Sequence, residues 1–494
     1  MVKMLPENHK TCAIIGSGIS GLAAAIRMRN KGYHVTVFEA NAFAGGKLST
    51  ETKQGYRFDM GPSVFTMPEY VDELFEISGK NPRDFFNYIK LDPVYRYFFE
   101  DGTVVDGFHG KEKFAAEMAK ELKDKKDRIE QYLDKTEKMY GLTEEVFLKN
   151  SLHKFNNYFT KAVAKGIFNF GKIGAFATMN EMNAKAFQDP RMVQIFNRYA
   201  TYNGSSPYLA PATLNVIPHV EIVKGAYYPV GGMYSITNAL VELGRLMGVE
   251  YKFSSVVREI MVENKRIKGI CTNTGKENFD VVISNMDVYN TYKKLLPNVK
   301  RPAKTLDQPK SSSGIIFYWG IKKSFHELGL HNILFSENYK EEFEAIFSRK
   351  TIHHDPTIYI NITSKHTPSD APAGCENWFS FINVPNNTGQ DWDALINETR
   401  ENAIKKINRI LKTDLRPHIE CEMVFDPRVI EDRTSSAFGA IYGNASNNKF
   451  SAFLRHPNFS KEIKGLYFCG GSVHPGPSIP LCLLSAKIAT NLIK

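Results

Sequence analysis

Residues 11–47, TCAIIGSGISGLAAAIRMRNKGYHVTVFEANAFAGGK, decide how the chain folds. TCAII is an apolar run of strand length, and it passes at once into Gly16-x-Gly18-x-x-Gly21. LAAAIRMRNKG then reads as a helix, with Leu22, Ala25 and Ile26 at helical spacing and Gly32 as its stop. HVTVFE alternates as a second strand and ends in Glu39. Together these form one β-α-β unit, the context that a dinucleotide fingerprint requires. Gly16 permits the tight turn, Gly18 lets the backbone approach a pyrophosphate at the helix N-terminus, and Gly21 lets helix and strand pack closely. Glu39, placed 18 residues after Gly21, suits the ribose hydroxyls and repels a 2′-phosphate, so FAD or NAD is expected over NADP.

The residues after Glu39 separate those two cofactors. A Gly-Gly doublet, Gly45-Gly46, and Lys47 stand just beyond the ribose acid, where flavoproteins continue the phosphate cradle. The chain carries a single GxGxxG. An enzyme that reduces its flavin with a nicotinamide through a dedicated domain would carry a second, so another redox partner is expected. The last thirty residues return to the opening architecture: strand GLYFCGG, loop SVHPGPSIP, helix LCLLSAKIATNLIK. The two ends of the chain are therefore expected to meet in one domain, the last helix presenting its N-terminus near Pro480 to a reduced flavin.

Between the ends, residues 110–200 read as mostly helical, opening with a Lys/Glu-rich run at 111–141 taken as a solvated helix face. Residues 225–251 read as a glycine turn into a helix, with strands near 251–262, 267–271 and 280–288. GIIFYWGI, TIYINIT and ENWFSFINV within 311–385 read as an antiparallel sheet, and 398–412 as an amphipathic helix. The expected division is a FAD-binding domain from 1–90, 225–300 and 425–494, a helical substrate and membrane region at 91–224, and an antiparallel-sheet substrate domain at 301–424.

Composition bounds the rest. A chain of 494 residues exceeds what one core serves, and 43% hydrophobic with 23% charged residues excludes a disordered or collagen-like protein. Six cysteines without a CxxC pair, and His353-His354-Asp355 on extended chain, offer no metal set. The N-terminus has no signal-peptide pattern and no window reaches the ~18 apolar residues of a spanning helix, which suggests a cytoplasmic protein. A net charge of +10 could suit nucleic acid or an anionic membrane. Residues 151–180 favour the membrane: Lys154, Lys161, Lys165 and Lys172 alternate with Phe155, Tyr158, Phe159, Phe168, Phe170 and Phe176, without an acid. A buried hairpin with snorkelling lysines is the other reading of that stretch.

The chain resembles the bacterial phytoene desaturase family of FAD-dependent carotenoid desaturases, within the amine-oxidase-like flavoproteins. The resemblance is densest in residues 11–47, in YRFDMGPSVFTMPEY, YYPVGGMYSITNAL and VISNMDVYNTYKKLL, and in the closing GLYFCGGSVHPGPSIPLCLLSAKIA. It implies an α/β fold with a Rossmann-type FAD domain interleaved with an antiparallel-sheet substrate domain. Carried over by similarity, FAD contacts would come from Gly16, Gly18, Ile19, Ser20, Glu39, Ala40, Gly45, Gly46, Lys47, Gly61, Pro62 and Ser63. Further contacts would come from Val257, Asn285, Gly471, Ser472, Gly476, Ile479 and Pro480. Two departures from the family pattern are Lys47, where arginine is common, and Pro477-Ser478, where small flexible residues are common. The chemistry implied is desaturation of a carotene drawn from the membrane, with oxygen or a quinone reoxidising the flavin and no nucleic acid involved. Overall resemblance leans towards 3,4-desaturation of γ-carotene or a 1-hydroxycarotenoid. A multi-step phytoene desaturase and a flavin-dependent carotenoid isomerase are the alternatives. No catalytic acid or base is nominated.

Overall fold

The computed structural model of the protein describes residues 10–144, 153, 177–448 and 455–494. Thr11–Ile15 is the centre of a five-stranded parallel sheet. His34–Phe38 and then Glu250–Lys252 lie on one side, Val281–Ser284 and then Leu466–Phe468 on the other. A strand buried on both faces needs apolar residues at every position, and TCAII supplies them. Cys12 and Ile14 pack under the helices, while Ala13 and Ile15 pack against the opposite layer. The helical layer is Ile19–Asn30, Tyr234–Leu246 and Ile479–Asn491. The other layer is a small antiparallel sheet of Val257–Glu263, Arg266–Thr272 and Lys276–Asn278. The stretch read as one strand near 251–262 is thus two, one in each sheet. Chain order reverses between Thr11–Ile15 and Val281–Ser284, so their carboxyl ends splay apart and open a crevice there.

A seven-stranded sheet forms the second layer system, in the order Ile419–Phe425, Ser313–Ile321, Glu376–Val384, Ile358–Ile362, His331–Leu334, Tyr95–Phe98, Val104–Gly107. The three expected strands form its centre. Two further strands come from the region read as helical, and Tyr95–Phe98 runs parallel to His331–Leu334, so the sheet is mixed. The alternation Tyr95, Tyr97 against Phe98 explains the insertion, since both faces of this strand are buried. Helix Trp392–Leu411 covers one face through Trp392, Ile404 and Ile407, packed on Phe317, Trp319 and Trp378. The hairpin Ser49–Lys53 and Tyr56–Met60 lies on the opposite face through Tyr56 and Phe58, against Tyr318 and Phe379.

The Lys/Glu-rich run is two helices, Lys111–Glu121 and Lys126–Thr143. The break is set by Asp124, whose carboxylate accepts from the Gln188 and Asp189 amides at 2.8 and 2.9 Å, while Lys123 N donates to Asp189. Phe114, Met118, Ile129 and Leu133 on the inner faces are buried, so only the outer faces are solvated. Of the basic aromatic stretch 151–180, residues 151–152 and 154–176 lie outside the described residues. Among those described, no helix is long and apolar enough to cross a membrane.

Candidate active site

The crevice deepens into a cavity of about 550 Å³ that reaches from the parallel sheet to the wide mixed sheet. Its first half is built by glycine. Gly16 N donates to Phe38 O at 2.8 Å and Gly45 N to Ser17 O at 2.9 Å, so the two glycine turns are laced together. Gly45 has φ +115°, and a Cβ there would sit 2.0 Å from Leu48 O; Gly61, also at +115°, would meet Lys47 O at 2.0 Å. At Gly18 a Cβ would lie 2.7 Å from Asn285 Nδ2. These backbones come close because no side chain intervenes, leaving a cradle walled by peptide groups. Helix Ile19–Asn30 opens onto it with Gly18 as cap, no side-chain cap bond and no acid in its first turn. Its orphan N–H groups are the donor set that a pyrophosphate needs.

Glu39 lies at the end of the second strand, 6% exposed, on the cavity wall. Its carboxylate accepts from Ser17 N (2.8 Å), Ser17 Oγ (2.7 Å), Asn41 N and Asn41 Nδ2 (both 2.9 Å), which hold it facing inward. Asn285, at the chain-order reversal, donates to Gly16 O at 3.4 Å and joins the carboxyl ends of both strands. Lys47 donates to Ile441 O at 2.6 Å; burial pushes its ammonium below the usual range, against the pull of Asp287. Burial pushes the Asp287 carboxyl up in turn, countered by Lys47 and Lys310. A second helix N-terminus, that of Ile479–Asn491, meets the cavity through Ser478, Ile479 and Pro480, also without an acid in its first turn. Peptide cradle, buried acid and two helix N-termini fit a flavin cofactor, and Gly16, Gly18, Glu39, Gly45, Gly46 and Lys47 are the residues that would hold it.

Every other residue that the resemblance implied as a contact also lines this cavity, with one exception. Gly476 is not on the wall; the position of its missing Cβ faces the buried Arg455 guanidinium, 3.2 Å from Nε. Its φ of +138° is needed for that turn. Cys469 is 1% exposed, and burial pushes its thiol up to about 12, so it offers no thiolate for covalent attachment.

The far half of the cavity is aromatic, walled by Tyr95, Tyr318, Tyr359, Phe379 and Phe381 from the mixed sheet and by Tyr202 and Arg198 from the helical turn at residues 198–203. Ser63 joins the halves: its Oγ lies 2.7 Å from Tyr359 Oη, which lies 2.8 Å from His331 Nδ1. Burial pushes His331 down to about 3, so its ring is neutral. None of Tyr359, His331, Arg198 or Asp287 stood out in the sequence. Asp287 alone had a signal, two residues after Asn285 in the stretch VISNMDVYNTYKKLL.

The chain belongs to the flavin-containing amine oxidoreductase family, whose model matches residues 19–494, and it is accordingly a flavin-dependent oxidoreductase. A 1-hydroxycarotenoid 3,4-desaturase from a Flavobacterium species is 52% identical over 484 residues, 98% of this chain and 99% of that protein. A 4,4'-diapolycopene oxygenase from a Methylomonas species is 32% identical over 99% of each chain. A 4,4'-diaponeurosporene oxygenase from Staphylococcus aureus is 32% identical over 98% of each. Among solved structures, an oxidoreductase from Methanosarcina mazei superposes with TM-score 0.64 at 14% identity, over 97% of this chain and 100% of that one. A variant putrescine oxidase does so with TM-score 0.64 at 13% identity, over 99% of each. These two share the fold. The family expected from the glycine and closing motifs is the family found.

Proposed function

We propose that the protein is a FAD-dependent carotenoid desaturase that removes a hydrogen pair from the C3–C4 bond of a 1-hydroxycarotenoid. The observation that carries this reading is a continuous cavity, peptide-walled at one end and aromatic at the other, in a chain 52% identical to a 1-hydroxycarotenoid 3,4-desaturase. A ribose acid beside a pyrophosphate-sized cradle favours FAD over a mononucleotide flavin. Bound flavin supplies a two-electron acceptor for hydride. The chain's own work is to bind, orient and keep dry. The rings of Tyr318, Tyr359, Phe379 and Phe381 give an extended polyene flat apolar surface and exclude water. The N-terminus of Ile479–Asn491 and the Lys47 side chain both face the cavity and would supply positive charge to offset the negative charge of a reduced flavin. The substrate is insoluble in water, so the protein works at a membrane surface as a peripheral enzyme, and oxygen or a membrane quinone takes the electrons on.

The test is chromatography with mass detection after incubating FAD-loaded protein and a quinone with liposomes holding phytoene, γ-carotene or a 1-hydroxycarotenoid. The expected product comes from the 1-hydroxycarotenoid and is lighter by one hydrogen pair. A product heavier by oxygen would make the protein an oxygenase, and one of unchanged mass an isomerase; either overturns the reading.

A further inference from the structure

The aromatic half of the cavity contains a charged group that an unsubstituted polyene cannot use. Arg198 lines it, yet the residue is only 4% exposed. Its guanidinium carbon sits 4.4 Å from the ring centroids of both Tyr95 and Tyr199, so the group is clamped between aromatic faces. A guanidinium donates in its own plane, and rings on its faces leave only the edges for hydrogen bonds. One edge is taken: Nη2 donates to Glu221 Oε1 at 3.0 Å and lies 3.4 Å from Tyr97 Oη. Nε is buried and has no partner.

The neighbouring polar groups are already committed. Glu221, 2% exposed, accepts from Tyr199 Oη at 2.6 Å and from Tyr202 Oη. Tyr202 Oη also lies 3.0 Å from Tyr95 Oη, and Thr201 Oγ1 donates to Arg198 O at 2.8 Å. Burying an ion pair beside an apolar ligand is costly, and an unmatched N–H adds to the cost unless the ligand brings an acceptor. The place is also right. The Tyr95 ring lies 5.2 Å from that of His331, which bonds to Tyr359 and through it to Ser63 at the junction with the glycine cradle. In a 1-hydroxycarotenoid only C2 separates the hydroxyl-bearing carbon from the bond to be oxidised, so a group that reads the hydroxyl must sit beside the redox centre.

We infer that Arg198, held by Glu221, is the specificity-determining donor to the oxygen on the substrate's terminal carbon; this rests on the desaturase reading. A site built to hydrogen-bond a hydroxyl rejects the analogue lacking it far more strongly than an apolar pocket rejects an added one, because its buried donor is then left bare.

The experiment compares kcat/KM for a 1-hydroxycarotenoid and its 1-deoxy analogue in liposomes, for the FAD-loaded parent and two variants. Arg198→Lys keeps the charge but loses the planar edge. Arg198→Leu with Glu221→Gln removes the pair without stranding a charge; the Gln carbonyl oxygen still accepts from one of Tyr199 and Tyr202, and its amide NH2 donates to the hydroxyl oxygen of the other. The parent should prefer the hydroxylated substrate by at least about tenfold, and variants that retain flavin absorbance should lose that preference, in kcat as well as KM. A parent that desaturates both substrates within about threefold overturns the inference with no variant needed and leaves the desaturase reading intact. So do flavin-retaining variants that keep the parental ratio. A parent that desaturates neither substrate overturns the desaturase reading, and the inference falls with it.

Discussion

Glu39 shows how much one side chain does here. All four donors on its carboxylate come from Ser17 and Asn41, so the acid is fixed in place on the cavity wall by the protein alone. Glu39→Gln would turn one acceptor into a donor facing other donors, at a cost of about 1–3 kcal/mol. Flavin absorbance per protein after desalting should fall about tenfold or more; full retention would remove Glu39 from the binding role. His331 and His456 set a pH dependence. Burial pushes them down to about 3 and about 4, so both are neutral when folded. Their folded pKa values lie below the unfolded value, so their stabilisation is complete above about pH 6.5 and is lost as pH falls towards 4. Unfolding midpoints should drop through that window, and His456→Asn should flatten the slope; a midpoint constant from pH 7 to 4 would contradict the assignment. At this scale the glycine cradle and Glu39 were legible in the sequence because backbone conformation and a fixed spacing dictate them. Arg198 and Glu221 were not, since their pairing exists only once the helical turns at residues 198–203 and 219–224 have packed together.

Among elements, the helix Ile479–Asn491 carries a cost at its start. Ser478, its cap, has φ +119° and ψ 160°, a region that glycine alone adopts freely, while its hydroxyl accepts from Leu481 N at 3.3 Å. Such a residue costs of order 1–3 kcal/mol, and exchanging a serine cap for glycine costs only a few tenths. Ser478→Gly should therefore raise the melting temperature by about 1 °C or more in a chain of 494 residues, and Ser478→Val should lower it; a fall with glycine would show that the cap bond outweighs the strain. The element pattern of the sheet layers was read correctly at its centre. TCAII and GIIFYWGI are mostly apolar runs of strand length, and ENWFSFINV is rich in aromatic and β-branched residues, the composition of a buried strand. Tyr95–Phe98 was missed because YRYF is short and polar-tipped, and only its partners His331–Leu334 and Val104–Gly107 make it a strand.

For the whole molecule, the charge of +10 and the lysines of 151–180 bear on where it works. Each basic residue near an anionic bilayer is worth about 1 kcal/mol. Replacing Lys154, Lys161, Lys165 and Lys172 by glutamate should abolish co-sedimentation with phosphatidylserine vesicles at physiological salt while flavin content stays at the parental level. Unchanged sedimentation would place the membrane contact elsewhere. The parallel sheet has a further consequence through its strand order. Thr11–Ile15 leaves the ribosome tens of seconds before Leu466–Phe468 and Ile479–Asn491, at ~5–20 residues per second. The nascent chain therefore carries an open half-cradle until Ile479–Asn491 has been made, and both helix N-termini can face a ligand only from then on. Chains cut before Ile479–Asn491 would lack the second of these helix N-termini and should retain little flavin absorbance after desalting.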